Sequence, residues 1–593
     1  MIMKKQLIGL CVAGLMAVQA NATEFNDVVI FGDSLSDGGQ YGSRFTTNPG
    51  KTTAELVAEG VGIETIPSTQ GGSNYAYGGA TVADFSNGIP TLQQQLAIYL
   101  NANNGVADAN TLYQVWGGAN DIFAYATSYA SGSISATQLQ TGLVTSASTE
   151  LALLTTLKDA GASYVVVYNM PDIGLTPSYV NTASSATATA LATLYNSTLN
   201  SGLNTLSDQG LNIIPVNVYG LLQEIAANPT QYGFSNVTDM ACSSGSSLGC
   251  TDDGTGYLFA DGVHPTAYTH QILSKVVLST LNAPKQISLL TEAPLALTQA
   301  HYRAIKNEML NDMNGAQTRA FVNLDYNHQK IDSNKTSPGL SANQVNLSLG
   351  FDGRLSENLS LGMGLNIGQQ RGDFASSLGE YALNDYGAII YALYHQSNAY
   401  LGGFFNAGRL SYNDIKRNIQ IGDYRRTEKG DVEGTHVGGG LDGGWWFNYQ
   451  DIKTGPFAHL EWQSIKLDRY QENSSDSTAM WFDDLTRDSF VTTLGWRIQG
   501  NYKLNGISLQ PVGEIAWNHE SKDDATTVKA GLNSMNGYFK LTGYQPDTNW
   551  GSATLGVNAQ LKENLSSWLM LNSTFAHDSK QDFGVNAGLK VKF

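Results

Sequence analysis

The sequence predicts two folds in one chain: an α/β domain built on a mostly parallel sheet, followed by a twelve-stranded transmembrane β-barrel. Three observations carry this. In residues 23–285 short apolar runs alternate with helical stretches. From about residue 317 to the end, apolar residues recur at every second position. Charge is also divided unevenly: residues 23–285 hold 5 Lys/Arg and 19 Asp/Glu, whereas residues 286–593 hold 26 and 32. A chain of 593 residues exceeds one compact core. Only 14% of its residues are charged, too few for a charge-rich disordered chain or a coiled coil. The net charge of −18 leaves no basic stripe, so nucleic acid is not an expected partner.

Residues 1–22 read as a secretory signal. Lys4 and Lys5 precede an apolar run at 7–18, and Ala20-Asn21-Ala22 fits a small-x-small cleavage site. That run is shorter than the roughly 20 residues a membrane-spanning helix needs. Cleavage leaves Cys242 and Cys250. One close pair in an exported chain most simply forms a local disulfide, and with no His between them the spacing does not suit a metal site.

In residues 23–285 (residues 1–22 being the signal), apolar runs at 28–31, 112–116, 164–168 and 213–218 are predicted strands. Helical stretches at 53–59, 91–101, 137–158, 187–207 and 266–281 separate them. Such sheets bind ligands at the carboxyl ends of their strands, and four motifs fall at strand ends or in loops. Gly32-Asp33-Ser34-Leu35-Ser36-Asp37 ends the first strand and aims a hydroxyl into the crevice, although Ser or Asp there is more often a helix cap. Asn74-Tyr75-Ala76-Tyr77-Gly78-Gly79-Ala80 lets a backbone N–H approach a ligand, or is simply a turn. Gly118-Ala119-Asn120-Asp121 follows the second strand and offers an amide donor, or an Asx-turn. Asp261-Gly262-Val263-His264 holds one of only two His in this half, with a carboxylate three residues earlier to orient it. Gly245-Ser246-Ser247-Leu248-Gly249 matches a nucleophile elbow but lies in a Ser/Gly loop without the strand and helix that motif requires.

Together and in this order, the four motifs resemble the GDSL, or SGNH, hydrolase family over residues 26 to about 282. The resemblance implies a flavodoxin-like parallel sheet. It implies Ser34 as nucleophile, His264 as general base and then acid, and Asp261 as its orienter. The oxyanion hole would be the Ser34 N–H, the Gly79 N–H and the Asn120 amide. Gly78 is the one-residue alternative, and the following Ala-Thr favours Gly79. No metal or cofactor is implied. Trp116, Tyr75 and Tyr77 flank the motifs as acyl-pocket or ordinary core aromatics.

Residues 287–313 are predicted to form one long helix kinked near Pro294. Twelve alternating runs follow, at about 317–328, 342–354, 358–371, 382–396, 399–411, 434–448, 452–466, 489–503, 507–518, 550–562, 565–577 and 583–593. The last is the clearest, with Phe583, Val585, Ala587, Leu589, Val591 and Phe593 on one face. Short turns near Ser356, Ser397, Tyr449, Leu504 and Asn564 alternate with long loops such as 412–433 and 519–549, the outer-membrane layout. Trp445, Trp446, Trp462, Trp496 and Trp568 are candidates for interface girdles.

This combination resembles the autotransporter esterases of Gram-negative bacteria. The resemblance implies a signal at 1–22, a hydrolase passenger at 23–285, a linker helix at 286–315 that threads the lumen, and a barrel at 316–593. The expected function is a serine esterase or lipase anchored at the cell surface. Its expected partners are an ester or lipid substrate, outer-membrane lipid and the barrel-insertion machinery, with the chain a monomer. A non-catalytic adhesin-like passenger is the alternative from another class, though residues 23–285 contain no internal repeat. A phospholipase, acyltransferase or glycan deacetylase would share the same fold.

Overall fold

The structure, a computed structural model, describes residues 25–593 apart from 84, 86, 87, 244, 252, 253 and 312–317. The signal expected at 1–22 and the last residues of the predicted linker helix lie outside the described residues.

Four parallel strands, β1 (Asp27–Gly32), β2 (Thr111–Trp116), β3 (Tyr164–Tyr168) and β4 (Asn212–Val216), pair in the order 1-2-3-4. Their side chains are buried almost continuously, because helices cover both faces of the sheet. Residues 73–77 run beside β1: the Tyr75 N–H donates to Ile30 O at 2.8 Å, and the Ile30 N–H donates to Ser73 O at 3.1 Å. Counted as an edge element, this segment gives the flavodoxin-like order 2-1-3-4-5. The strand predicted to reach 218 stops at Val216, because Asn217 caps the helix Val218–Ala227 by accepting the Gly220 N–H.

The helix Ala267–Ser288 continues past the expected passenger boundary, and a single turn at Leu289–Thr291 separates it from the helix Ala293–Asn311. The predicted kink near Pro294 is therefore displaced. Pro294 sits in the first turn of the second helix, where its missing N–H costs no hydrogen bond.

Twelve long antiparallel strands, from Arg319–Ile331 to Lys580–Lys592, form the barrel, and these two pair with each other to close it. Leu349, Leu365, Ile390, Leu494, Ile515 and Leu555 face outward, whereas Asn323, Asp325, Asn346, Asp385 and His436 face the lumen. That inversion of a soluble core suits strands between lipid and a polar interior. The helix Ala293–Asn311 occupies the lumen. Arg303 grips Asp325 through two hydrogen bonds of 2.7 and 2.8 Å, and the Tyr302 hydroxyl donates to Asp442 at 2.9 Å. Trp445, Trp462 and Trp496 are exposed on the outside, but Trp446 and Trp568 are buried inside. Those two are corrected from girdle to lumen: Trp446 contacts the Arg497 guanidinium, and the Trp568 N–H donates to Asn586.

The expected loop 412–433 is mostly strand. Ala399–Ile421 and Tyr424–Trp445 continue as one hairpin that projects beyond the barrel and packs Ile415, Ile419 and Ile421 into the passenger core. The expected loop 519–549 also carries strands, Thr527–Leu532 and Phe539–Thr542, and it covers the free edge of β4, where the Ile213 N–H donates to Tyr538 O at 3.0 Å. An open sheet edge is an aggregation hazard, and here the barrel's own loop shields it.

Candidate active site

β1 delivers Ser34 to the carboxyl edge of the sheet. Gly32 is required there, because a Cβ would lie 2.6 Å from Trp116 O. Gln95 holds Gly32 through both of its backbone polar groups, accepting the N–H and donating to the carbonyl at 2.9 Å each. The chain then turns sharply, with the Ser36 and Asp37 N–H groups donating to Asp33 O.

Ser34 Oγ lies 2.8 Å from His264 Nε2. His264 Nδ1 lies 2.8 Å from both Asp261 carboxylate oxygens. A carboxylate only accepts, so Nδ1 carries the proton and Nε2 accepts from the Ser34 hydroxyl. Asp261 also accepts the Val263 and His264 N–H groups at 3.0 and 2.9 Å and the Ser247 N–H at 3.2 Å. Burial, the largest single influence, pushes the Asp261 carboxyl up. The His264 hydrogen bond and charge, the Val263 N–H and Ser247 together outweigh it and hold the group well below the usual carboxylate range. Asp261 thus stays ionised beside the imidazole at neutral pH.

The second motif lies against the first. Asp37 accepts the Gly78 N–H at 2.8 Å. Gly79, the other candidate, has φ +80°. The Asn120 amide donates one hydrogen to Ala80 O at 2.8 Å, which fixes it beside Gly79. Asp121 accepts the Val82 and Ala83 N–H groups and the Ser146 hydroxyl, tying the third motif to the loop after the second. The four motifs therefore converge on one edge of the sheet.

Several contributors carried little signal in the sequence. Asp37 and Asp121 lay inside the motifs, but their loop-pinning roles depend on distant backbone. Gln95 sits in an ordinary helix, 63 residues from the glycine it holds. The rejected Gly245–Gly249 stretch is no elbow, yet it supplies the Ser247 N–H to Asp261 from the loop that the Cys242–Cys250 disulfide closes. The flanking aromatics divide. Trp116 is buried and stacked on Tyr168, and Tyr75 packs against Phe31 and Tyr99, so both belong to the core. Tyr77 instead joins Tyr41 and Phe45, whose ring centre is 5.1 Å from that of His264. These three form an aromatic wall beside the imidazole.

Behind the site lie two buried carboxyls. Burial, eased by the Leu35 N–H, pushes Asp33 up to about 7. Burial, eased by the hydrogen bond from the Tyr195 hydroxyl at 2.6 Å, pushes Glu150 up to about 8. A raised carboxyl pKa means that the fold keeps a proton the unfolded chain has lost. Glu150 therefore costs stability increasingly from about pH 4.5, its unfolded value, up to about pH 8. Glu150→Gln keeps an acceptor for Tyr195 and removes that cost. Its temperature of half-inactivation is expected to match wild type near pH 5 and to exceed it increasingly toward pH 8, as the difference in unfolding free energy grows to on the order of a few kcal/mol. A pH-independent difference between the two proteins would refute this.

Comparison with known proteins follows the division of the chain. Residues 28–277 match the family model described as GDSL-like Lipase/Acylhydrolase, and residues 320–572 match the Autotransporter beta-domain. The chain is 29% identical to Lipase 1 of Photorhabdus luminescens, covering 100% of both sequences. It is 28% identical to Esterase EstA of Pseudomonas aeruginosa, covering 95% of each. Among solved structures, the translocator domain of autotransporter NalP from Neisseria meningitidis aligns with 52% of this chain and 99% of its own, at 14% identity and a TM-score of 0.43.

Proposed function

Since residues 28–277 belong to the GDSL-like lipase/acylhydrolase family and residues 320–572 to the autotransporter β-domain family, we propose that Ser34, His264 and Asp261 hydrolyse carboxylic esters at the cell surface. The chain is an esterase/lipase joined to its own outer-membrane barrel. The observation that carries the residue roles is the unbroken hydrogen-bond chain from Ser34 Oγ through the imidazole to Asp261, with a step of 2.8 Å on each side.

Ser34 Oγ attacks the ester carbonyl carbon while His264 Nε2 takes its proton. Asp261 holds the imidazole tautomer and stabilises the imidazolium. The carbonyl oxygen becomes an oxyanion, bound by the Ser34 and Gly79 N–H groups and by the second hydrogen of the Asn120 amide. His264 then gives its proton to the leaving alkoxide, and the acyl group stays on Ser34. Water enters, is deprotonated by the same imidazole and releases the acid. The aromatic wall of Tyr41, Phe45 and Tyr77 offers an apolar face to the acyl chain.

The passenger rests on the long hairpins of the barrel. The tight turns between strands, such as 397–398 and 505–506, lie at the opposite end. Short turns on the periplasmic side and long connections outside are the outer-membrane rule, which supports an outward-facing enzyme. A monomer placed by the barrel-insertion machinery completes the proposal.

With a net charge of −14 over 23–285, the passenger repels anionic substrates. Intact cells supplied with membrane-impermeant esters test location and preference together. External turnover is expected, with neutral esters faster than anionic analogues at low salt and the gap closing as salt rises. Turnover only after lysis would refute the surface location. Equal rates at low salt would refute the charge preference.

A further inference from the structure

Away from the hydrolase, the barrel lumen holds a cluster that the ester chemistry does not use. His301 on the lumen helix meets Asp385 and His436 on the barrel wall, and all three are fully buried. His301 Nε2 lies 2.9 Å from Asp385 Oδ2, and His436 Nε2 lies 3.0 Å from Asp385 Oδ1. The candidate ligand atoms of the three residues all fall within 4.8 Å of one another. They come from three separate segments of the chain: the helix, the strand Gly379–Gln396 and the strand Tyr424–Trp445.

Two further observations set this cluster apart from an ordinary hydrogen-bonded group. First, Asp385 has no Lys or Arg partner among the described residues; its ion-pair partners are the two imidazoles alone. A fully buried carboxylate needs a compensating positive charge. Second, His301 Nε2 and Asp385 Oδ2 are close but not aligned for a hydrogen bond, and both remain without one. His436 Nε2 does make a hydrogen bond to Asp385 Oδ1 at 3.0 Å, so one carboxylate oxygen and His301 Nε2 are left over, buried and unsatisfied. The wall also makes room for the rings. Gly387 and Gly408 are paired across neighbouring strands, and Gly408 is paired in turn with His436. A Cβ on Gly408 would lie 2.2 Å from His436 Nε2, and one on Gly387 would lie 2.9 Å from His301 Cε1.

The geometry points to a structural divalent transition-metal site, of the zinc class, formed by His301 Nε2, His436 Nε2 and the Asp385 carboxylate. Two imidazole nitrogens and one carboxylate suit Zn2+, whereas Ca2+ and Mg2+ require oxygen ligands throughout. Zinc bonds of about 2.0–2.1 Å place tetrahedral ligand atoms roughly 3.3 Å apart; the two His–Asp separations are 2.9 and 3.0 Å, and all the candidate ligand atoms lie within 4.8 Å. The ion supplies the charge that Asp385 lacks. The second carboxylate oxygen or a water fills the remaining position. Bound there, it ties the helix that follows the passenger to two wall strands, so that the helix stays in the lumen once the passenger is outside.

The test uses the full chain without an affinity tag, refolded in detergent, stripped with chelator and titrated with Zn2+, with Co2+ as a spectroscopic substitute. One Zn2+ per chain is expected, with the visible absorption of tetrahedral nitrogen/oxygen-bound Co2+. Affinity is expected to fall about 100-fold or more in Asp385→Asn and in His436→Ala. It is expected to persist in His264→Ala and His459→Ala, which separates this site from the hydrolase and from another lumen histidine. Zn2+ is also expected to raise the temperature at which the folded barrel unfolds in gel electrophoresis. Failure of the wild-type chain to bind stoichiometric Zn2+ overturns the proposal. So does binding that survives in both Asp385→Asn and His436→Ala. Because the wild-type titration alone can refute the site, a variant that fails to fold does not protect it.

Discussion

Ser34→Ala is expected to lower kcat/KM for a carboxylic ester by about four to six orders of magnitude while the barrel still inserts. The size follows from the step removed. Without Oγ, His264 has no hydroxyl to deprotonate and no acyl-enzyme can form, which leaves only direct attack by water beside the oxyanion donors. The structural cost is small. Ser34 sits in a turn held by backbone hydrogen bonds to Asp33 O and by Gln95 on Gly32, and none of these uses its hydroxyl. Steady-state rates on a chromogenic ester, with insertion followed by gel mobility of the unheated barrel, check both halves. His264→Ala is expected to fall almost as far. The double variant should be no worse than the poorer single one, because the two side chains act in one step. Additive losses would show that they do not.

Asn120→Ala is expected to lower kcat by roughly 10²–10³-fold with little change in KM. The amide has two hydrogens. One donates to Ala80 O at 2.8 Å and fixes the side chain. In the proposed mechanism the other is directed to the oxyanion, whose charge develops fully only in the transition state, so its loss appears in kcat. A merely structural role through Ala80 would instead raise KM or lower thermal stability. Asn120→Asp sharpens the distinction, since it keeps the shape and loses the donors. It is expected to be at least as damaging as Ala, because a carboxylate repels the developing oxyanion. An Asn120→Ala enzyme within a few-fold of wild-type kcat would remove Asn120 from the oxyanion hole.

The legible and illegible parts of this chain divide on physical grounds. β1 to β4 are buried on both faces, so each reads as a nearly continuous apolar run, broken in β2 only by the buried Gln114, and the Ser34 and Asn120 motifs stand out as small polar residues shortly after two of those runs. The edge segment 73–77 was hidden because it pairs through isolated bridges at Asn74, to Ile30 and to Pro67, carries no apolar run and leads into glycines. The hairpin beyond Ser411 was hidden by a bulge. Buried positions are even-numbered up to Tyr412 and odd-numbered from Ile415, because Asp414 at φ +56° inserts a residue and flips the phase. A scan for continuous alternation stops there and assigns a loop. Trp445 and Trp446 are adjacent, so one must point outward and the other inward, and composition alone cannot place either. At the site, Ser34, His264 and Asp261 were legible from motif order. Gln95 and Ser247 were not, because each acts through hydrogen bonds that only the folded chain brings together.

The proposed hydrolysis requires that Ser34 Oγ becomes acylated. Mass spectrometry of the intact chain after treatment with a fluorophosphonate, followed by proteolytic mapping, addresses it directly. One adduct per chain is expected on the peptide containing Ser34, with its formation slowed strongly by His264→Ala and prevented by prior acylation with a slow ester. An adduct on any other serine, or unchanged labelling in Ser34→Ala, would contradict the account.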